Sequence, residues 1–352
     1  MCAKSLFTAS CLLVTILLGI GRGVEGGAAR TVVIITEKDL LETAEALRAE
    51  LAKRGLAVGM IIQVPGPDTV GQIREIARRI QAEGNIPVLV LSVRTAVALD
   101  RLLRQLTEPL LLLGLTGHPR NLAVLHLAAV AEPPEVPQGA ILDLATGAAL
   151  LRKLKPGLLR EKSERSPMES TLKAFGLECE DVGCVSFARP EDLVDALIGG
   201  RIRSFAIVRP YCHWMASSAA KRLGKRFHLI GFKPTDIRQI AALLEDPYWP
   251  TYIAVFLDPN LCFGSTPPSI PLEKPRWSVA TPASIATIGR DAITPEDAER
   301  IAIAGIAVLE SKEGLVSLKD SGILEALLEL DRLITVHPSS INATAQMVRS
   351  RR

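Results

Sequence analysis

Between Thr31 and Leu115 the chain alternates short, almost wholly apolar runs with longer amphipathic ones, and that rhythm constrains the fold more than any other feature. Thr31-Val-Val-Ile-Ile-Thr36, Val58 to Val64, Pro87 to Leu91 and Leu110 to Leu115 read as strands covered on both faces. Runs of helical period lie between them. Leu41, Ala44, Leu47 and Leu51 share one face of a run from Leu40 to Arg54 that Gly55 stops. Ile73, Ile76, Ala77 and Ile80 line up within Val70 to Ala82, and Thr95 to Leu106 supplies a third helix. Buried strands separated by such helices are joined through right-handed crossovers, so a mostly parallel, doubly wound α/β sheet is expected.

The rhythm breaks at Pro133-Pro-Glu-Val-Pro137 and resumes in a smaller α/β unit. Helices are expected over 168–175, 190–198, 214–223, 234–244, 294–309 and 322–330, and strands over 182–187, 204–208, 228–232, 251–257 and 277–281. The last dozen residues are polar and read as frayed.

Leu6 to Ile20 carries no charge, follows Lys4 and is succeeded by the Gly- and Ala-rich stretch Gly21 to Ala29. That is the layout of a secretory signal peptide. The run is shorter than the ~20 residues that cross a hydrocarbon core, so cleavage rather than retention as an anchor is expected. The mature chain would begin near Ala28 to Thr31 and work in the periplasm or outside the cell. It would hold about 320 residues, more than one compact core usually accommodates, so two lobes are expected.

Removing Lys4, Arg22 and Glu25 takes the formal net charge from +3 to +2, which gives no electrostatic reason to expect nucleic acid as a partner. Aromatic residues are 4% of the chain, which argues against a sugar site of stacked rings. The mature chain keeps Cys179, Cys184, Cys212 and Cys262. Cys179 and Cys184 either close a small disulfide loop over Glu180-Asp-Val-Gly183 or stay free thiols. The five histidines are scattered without ligand spacing, so neither a metal nor a cofactor is expected.

Nucleophile elbows, phosphate loops and zinc motifs are missing from the sequence, and Gly21-Arg-Gly23-Val-Glu-Gly26 precedes a strand instead of opening a helix. What remains is a set of polar segments at the carboxyl ends of strands, the edge where doubly wound sheets bind ligands. Asp68 and Thr69 follow the second strand, Ser92 and Thr95 the third, and Ser166, Ser170 and Thr171 open the first helix of the smaller unit. Each segment serves either as an anion-binding helix start or as a plain helix cap. Arg209 emerges after the strand at Phe205 to Val208, where its planar fork suits a carboxylate, with Tyr211 beside it.

Several of these segments occur in an order that resembles the extracytoplasmic solute-binding proteins of TRAP transporters, in particular the TAXI branch. Arg165-Ser-Pro-Met-Glu-Ser-Thr-Leu-Lys-Ala-Phe-Gly-Leu177 is similar to that family's Ser/Thr-rich helix start, and Ala196-Leu-Ile-Gly-Gly-Arg-Ile202 to its following segment. Val64-Pro-Gly-Pro-Asp-Thr69, Leu91-Ser-Val-Arg-Thr-Ala96, Phe232-Lys-Pro-Thr-Asp236, Asp246-Pro-Tyr248 and Val336-His-Pro338 fall in matching order. The sequence departs from the pattern at Gly66-Pro67, at Asn260-Leu-Cys-Phe263 and at His337-Pro-Ser-Ser340.

The resemblance implies a type II periplasmic-binding fold with a signal peptide over 1–29. One discontinuous lobe would comprise 30–140 and 210–345, the other 141–209, with a frayed tail over 346–352. It implies a monomer without enzymatic activity, closing on a small polar, carboxylate-bearing solute and delivering it to membrane permease subunits. Asp68, Thr69, Ser92, Thr95, Ser166, Ser170, Thr171, Arg209 and Tyr211 would border the cleft. A type I-like ABC-transporter binding protein or sensor is the alternative within the same compartment; an antiparallel strand inserted in each sheet distinguishes type II. A secreted α/β hydrolase is the alternative from another class, and it requires His118 or His213 beside a Ser or Cys.

Overall fold

The computed structural model describes residues 30–65, 69–118, 121–131, 140–160, 166–210, 213–244, 252–257, 276–310, 316 and 321–351. In chain order the strands are β1 (Val32–Glu37), β2 (Val58–Val64), β3 (Ile86–Ser92), β4 (Leu110–Thr116), β5 (Ala123–Val130), β6 (Ile141–Leu142) and β7 (Pro156–Leu159), then β8 (Val185–Phe187), β9 (Ser204–Pro210), β10 (Phe227–Phe232), β11 (Ile253–Leu257), β12 (Arg276–Thr281) and β13 (Ala283–Ile288). The helices are α1 (Leu41–Lys53), α2 (Val70–Ala82), α3 (Val93–Gln105), α4 (Gly147–Leu151), α5 (Pro167–Ala174) and α6 (Cys179–Val182), then α7 (Pro190–Ile198), α8 (Trp214–Leu223), α9 (Ile237–Leu243), α10 (Pro295–Leu309), α11 (Ile323–Asp331) and α12 (Pro338–Ser350).

The strands form two sheets. The first runs β2-β1-β3-β13-β4, with β1, β2 and β3 parallel and β13 laid antiparallel between β3 and β4. Every residue of β1 is buried, the apolar run Val32 to Ile35 together with Thr36 and Glu37 at its end. Val33 and Ile35 pack with Ile73, Ala77 and Ile80 of α2 and Leu99 and Leu103 of α3. Val32 and Ile34 pack on the opposite face with Leu47 and Leu51 of α1 and Ile301 and Val308 of α10.

The second sheet has eight strands, β11-β12-β10-β5-β9-β7-β8, with β6 beside β10. Within it, β8, β7, β9 and β10 run parallel and β5 is laid antiparallel between β9 and β10. This repeats the pattern of the first sheet. Antiparallel β12 and β11 extend it, so the second sheet is mixed. Phe205 and Ile207 share a cluster with Leu193 and Leu197 of α7 and Met215 and Ala219 of α8, while Ala206 and Leu127 pack with Leu172 of α5 and Ile240 of α9.

The chain passes between the sheets twice, at 117–122 and at Pro282. The two passages lie side by side: Ala283 pairs with Thr116 on the first sheet, and Thr281 pairs with Ala123 on the second. Pro210, the carboxyl end of β9, also pairs with Ala123. The carboxyl edges of both sets of parallel strands therefore converge on the double passage.

Three expectations change. The crossings expected near 140 and 210 lie at 117–122 and 282, because β5 continues directly from β4 before the Pro-rich run, which lies outside the described residues. Strands β10, β11 and β12 hydrogen-bond into the second sheet, not the first, so among the described residues β13 is the strand after residue 210 that completes the first. The tail expected to fray over 346–352 is instead the end of α12 as far as Ser350, packed on α10 through Ala343, Thr344 and Val348. Leu112 N–H donates to the Thr335 carbonyl (2.9 Å) and the Leu112 carbonyl accepts from His337 N–H (2.8 Å), which covers the outer edge of β4. No described helix is long and apolar enough to cross a membrane.

Candidate functional site

At the carboxyl edge of the first sheet, β1 ends in Glu37, which is 7% exposed. Its carboxylate accepts from Ser92 N–H (3.1 Å) and Ser92 Oγ (3.3 Å). Ser92 caps α3: its Oγ accepts from Thr95 N–H (3.3 Å) and lies 2.9 Å from Thr95 Oγ1. Ser92 and Thr95 are thus brought together, and a carboxylate of the chain itself rests where the dipole of a 13-residue helix is positive. Thr69 stands at the start of α2 on the same edge, following β2. Asp68 lies outside the described residues.

The first passage is fastened to this edge. Asn121 Oδ1 accepts from Thr43 N–H (2.9 Å) and Thr43 Oγ1 (3.2 Å), and His118 N–H donates to Thr43 Oγ1 (3.1 Å). These bonds satisfy a free N–H in the first turn of α1 with a side chain from the passage. His118 Nδ1 lies 3.6 Å from a Glu42 carboxylate oxygen.

On the second sheet, Ser166 is a capping residue, 5% exposed: its Oγ accepts from Met168 N–H (3.3 Å) and its N–H donates to Glu169 (3.0 Å). Thr171 is fully buried and its Oγ1 donates to the Pro167 carbonyl (2.7 Å). Both are committed within α5, so of the three polar residues at this helix start Ser170 alone stays half-buried without either duty. Arg209 is half-buried at the end of β9, its Nη1 donating to the Val208 carbonyl (3.1 Å). Tyr211 lies outside the described residues.

Three neighbours of these residues were not among the ligand-binding candidates read from the sequence. His213 caps α8, its Nδ1 accepting from Met215 N–H at 3.4 Å, and its ring centroid lies 5.7 Å from that of Trp214. Burial, with the Arg209 charge second, holds the His213 pKa below the ordinary histidine value, so the ring is neutral at pH 7. Trp214 is 44% exposed, the most exposed aromatic ring among the described residues. Glu37 was missed because the strand was read as ending at Thr36; a charged residue closing an apolar strand at its ligand edge was the available signal.

The hydroxyl and arginine candidates fall into two groups, one at each carboxyl edge. The side-chain partners of His213 are the Met215 N–H and the Trp214 ring, so no described Ser or Cys forms a nucleophile pair with it. Cys179 and Cys184 are disulfide-bonded with Cα atoms 5.1 Å apart, and Gly183 takes the left-handed conformation that ends the short α6 between them. No described group of side chains has the makings of a metal site.

No family model and no curated protein sequence matches this chain. Solved structures give low-scoring likenesses. The periplasmic aliphatic sulphonate-binding protein SsuA of Escherichia coli is 12% identical, with 90% of this chain and 83% of that chain covered at a TM-score of 0.37. The substrate-binding domain of a putative molybdenum ABC transporter from Clostridium difficile is 10% identical, covering 81% and 93% at 0.37. The periplasmic nitrate-binding protein NrtA of Synechocystis PCC 6803 is 12% identical, covering 87% and 67% at 0.33. Strand order and the paired passages, not these likenesses, define the type II, two-lobe α/β fold.

Proposed function

We propose that this chain is an extracytoplasmic solute-binding protein that closes its two lobes on a small polar molecule and presents it to a membrane transporter. The observation that carries the reading is the repeated strand order with one antiparallel strand inserted in each sheet across a double passage. That arrangement turns two ligand-type sheet edges toward one hinge, where rigid-body closure can bury a solute between them. The Cys179–Cys184 disulfide suits an oxidising compartment, as does the signal-peptide layout of residues 1–29, which lie outside the described residues. The transporter we propose is of the TRAP type, on the sequence resemblance to the TAXI branch; an ABC-type permease is the alternative. Arg209 takes a solute carboxylate at the second sheet, beside the start of α8 and the exposed ring of Trp214.

Calorimetry on a panel of organic and amino acids tests the reading. Arg209→Ala is expected to weaken the best ligand by about 2 kcal/mol, roughly 30-fold in Kd. Undiminished affinity would remove Arg209 from the site.

A further inference from the structure

Of the described carboxylates only Glu37 and Asp100 are buried, at 7% and 5% exposure. Asp100 has its counter-charge, with Arg104 Nε 2.6 Å away. Glu37 has none among the described residues, and the adjacent Lys38 is exposed and makes no ion pair with it. A carboxylate removed from water without a cation is costly, and the hydrogen bonds from Ser92 fill two of its roughly four acceptor sites. The positive end of α3 offsets part of the charge, and Thr95 N–H is spent on Ser92 Oγ. This incompletely compensated acid stands at the carboxyl end of β1, the middle of the parallel set β2-β1-β3, on the edge that faces the double passage.

We infer that Glu37 is a specificity-determining residue that receives a positively charged nitrogen of the solute, so that the first lobe selects a protonated amine while excluding a second carboxylate. The inference rests on the solute-binding reading above and gives it a polarity: amine toward β1 and α3, carboxylate toward Arg209. A carboxylate approaching the start of α3 would meet the Glu37 charge. A brace for α3 alone would also explain the hydrogen bonds to Ser92. The two roles separate in their readouts, since a brace changes the stability of the empty protein and leaves ligand choice untouched.

The test is equilibrium dialysis of the mature protein and of Glu37→Gln, read by mass spectrometry. The panel holds the twenty amino acids, putrescine, and the nitrogen-free acids succinate, glutarate and isocaproate. Glu37→Gln keeps the shape and an acceptor for Ser92 N–H, and thermal melts establish that it folds; Glu37→Asp serves as the conservative control. The expected result is retention of amine-bearing solutes by the parent, loss of about tenfold or more in Glu37→Gln, and partial recovery in Glu37→Asp. Retention of nitrogen-free acids as well as their amino counterparts overturns the inference and leaves the solute-binding reading standing, as does equal retention of amines by Glu37→Gln. Retention of nothing from the panel by the parent removes the solute-binding reading and the inference with it.

Discussion

Burial decides the charge of His213, and the sign of its effect on stability follows. His213 and His337 both have folded pKa values below the ordinary one, His213 through burial and then Arg209, His337 through burial. As pH falls through about 6.5 the unfolded chain takes up these protons first, so stability is present above that value and declines below it. Denaturation midpoints are expected to be lower at pH 5.5 than at 7.5, with a smaller difference in His213→Asn. In Arg209→Met the His213 ring proton followed by NMR should titrate at higher pH than in the parent; an unchanged midpoint would place the guanidinium too far away to act. At this scale the sequence was a partial guide. It led to Ser92 and Thr95, which do share a hydrogen bond, and to Ser166 and Thr171, which the capping box and a helix-internal bond absorb. Whether a hydroxyl faces a ligand or its own helix is decided by packing, which residue type alone does not carry.

Most long apolar or periodic elements were readable in advance, apolar β5 being an exception, and the weakly patterned ones were not. β1 and β3 and α1 to α3 follow their patterns closely, whereas β5, β7 and β13 went unread. β13 shows why. Its Ala-Ser-Ile-Ala-Thr-Ile is too small and polar to announce a central strand, yet Ser284 and Thr287 donate to the Leu91 and Pro87 carbonyls (3.0 and 2.7 Å), so no buried hydroxyl is wasted. Small residues also set how near α10 comes to the sheet. A Cβ on Gly305 would stand 2.5 Å from Ile285 Cδ1 and 2.6 Å from the Leu115 carbonyl oxygen. Gly305→Ala gains up to ~1 kcal/mol of helix propensity, but a backbone oxygen cannot yield as a side-chain tip can. The expected net outcome in urea denaturation is a loss of about 1–3 kcal/mol. A gain would mean that α10 has room to shift.

At the scale of the molecule, the α/β class and the presence of two lobes could be read from rhythm and length, but the boundary could not. A proline run was the most visible break, while the true crossings are a six-residue stretch and a single Pro282, whose Gly117, Pro119, Asn121 and Pro282 look like ordinary turn residues between strands. The strands of the two sheets are linked in the chain through those two passages, one of them held to α1 by Asn121 and His118, and closure as proposed would bend there. Solution scattering is therefore expected to show a smaller radius of gyration when a ligand is bound, with the melting temperature raised by mass action. A radius unchanged at saturating ligand would argue against closure.

The placement of β13 has a consequence for how the protein is made. A chain emerging amino end first possesses every strand of the second sheet once Thr281 appears, while the first sheet still lacks the strand that joins β3 to β4. The lobe that starts the chain is therefore the last to be finished. Until residue 288 arrives, two leucine-rich strands stand with open edges that invite pairing with other chains. For the exported chain proposed above, that interval falls at the exit of the translocation channel, with the amino-terminal sheet still open.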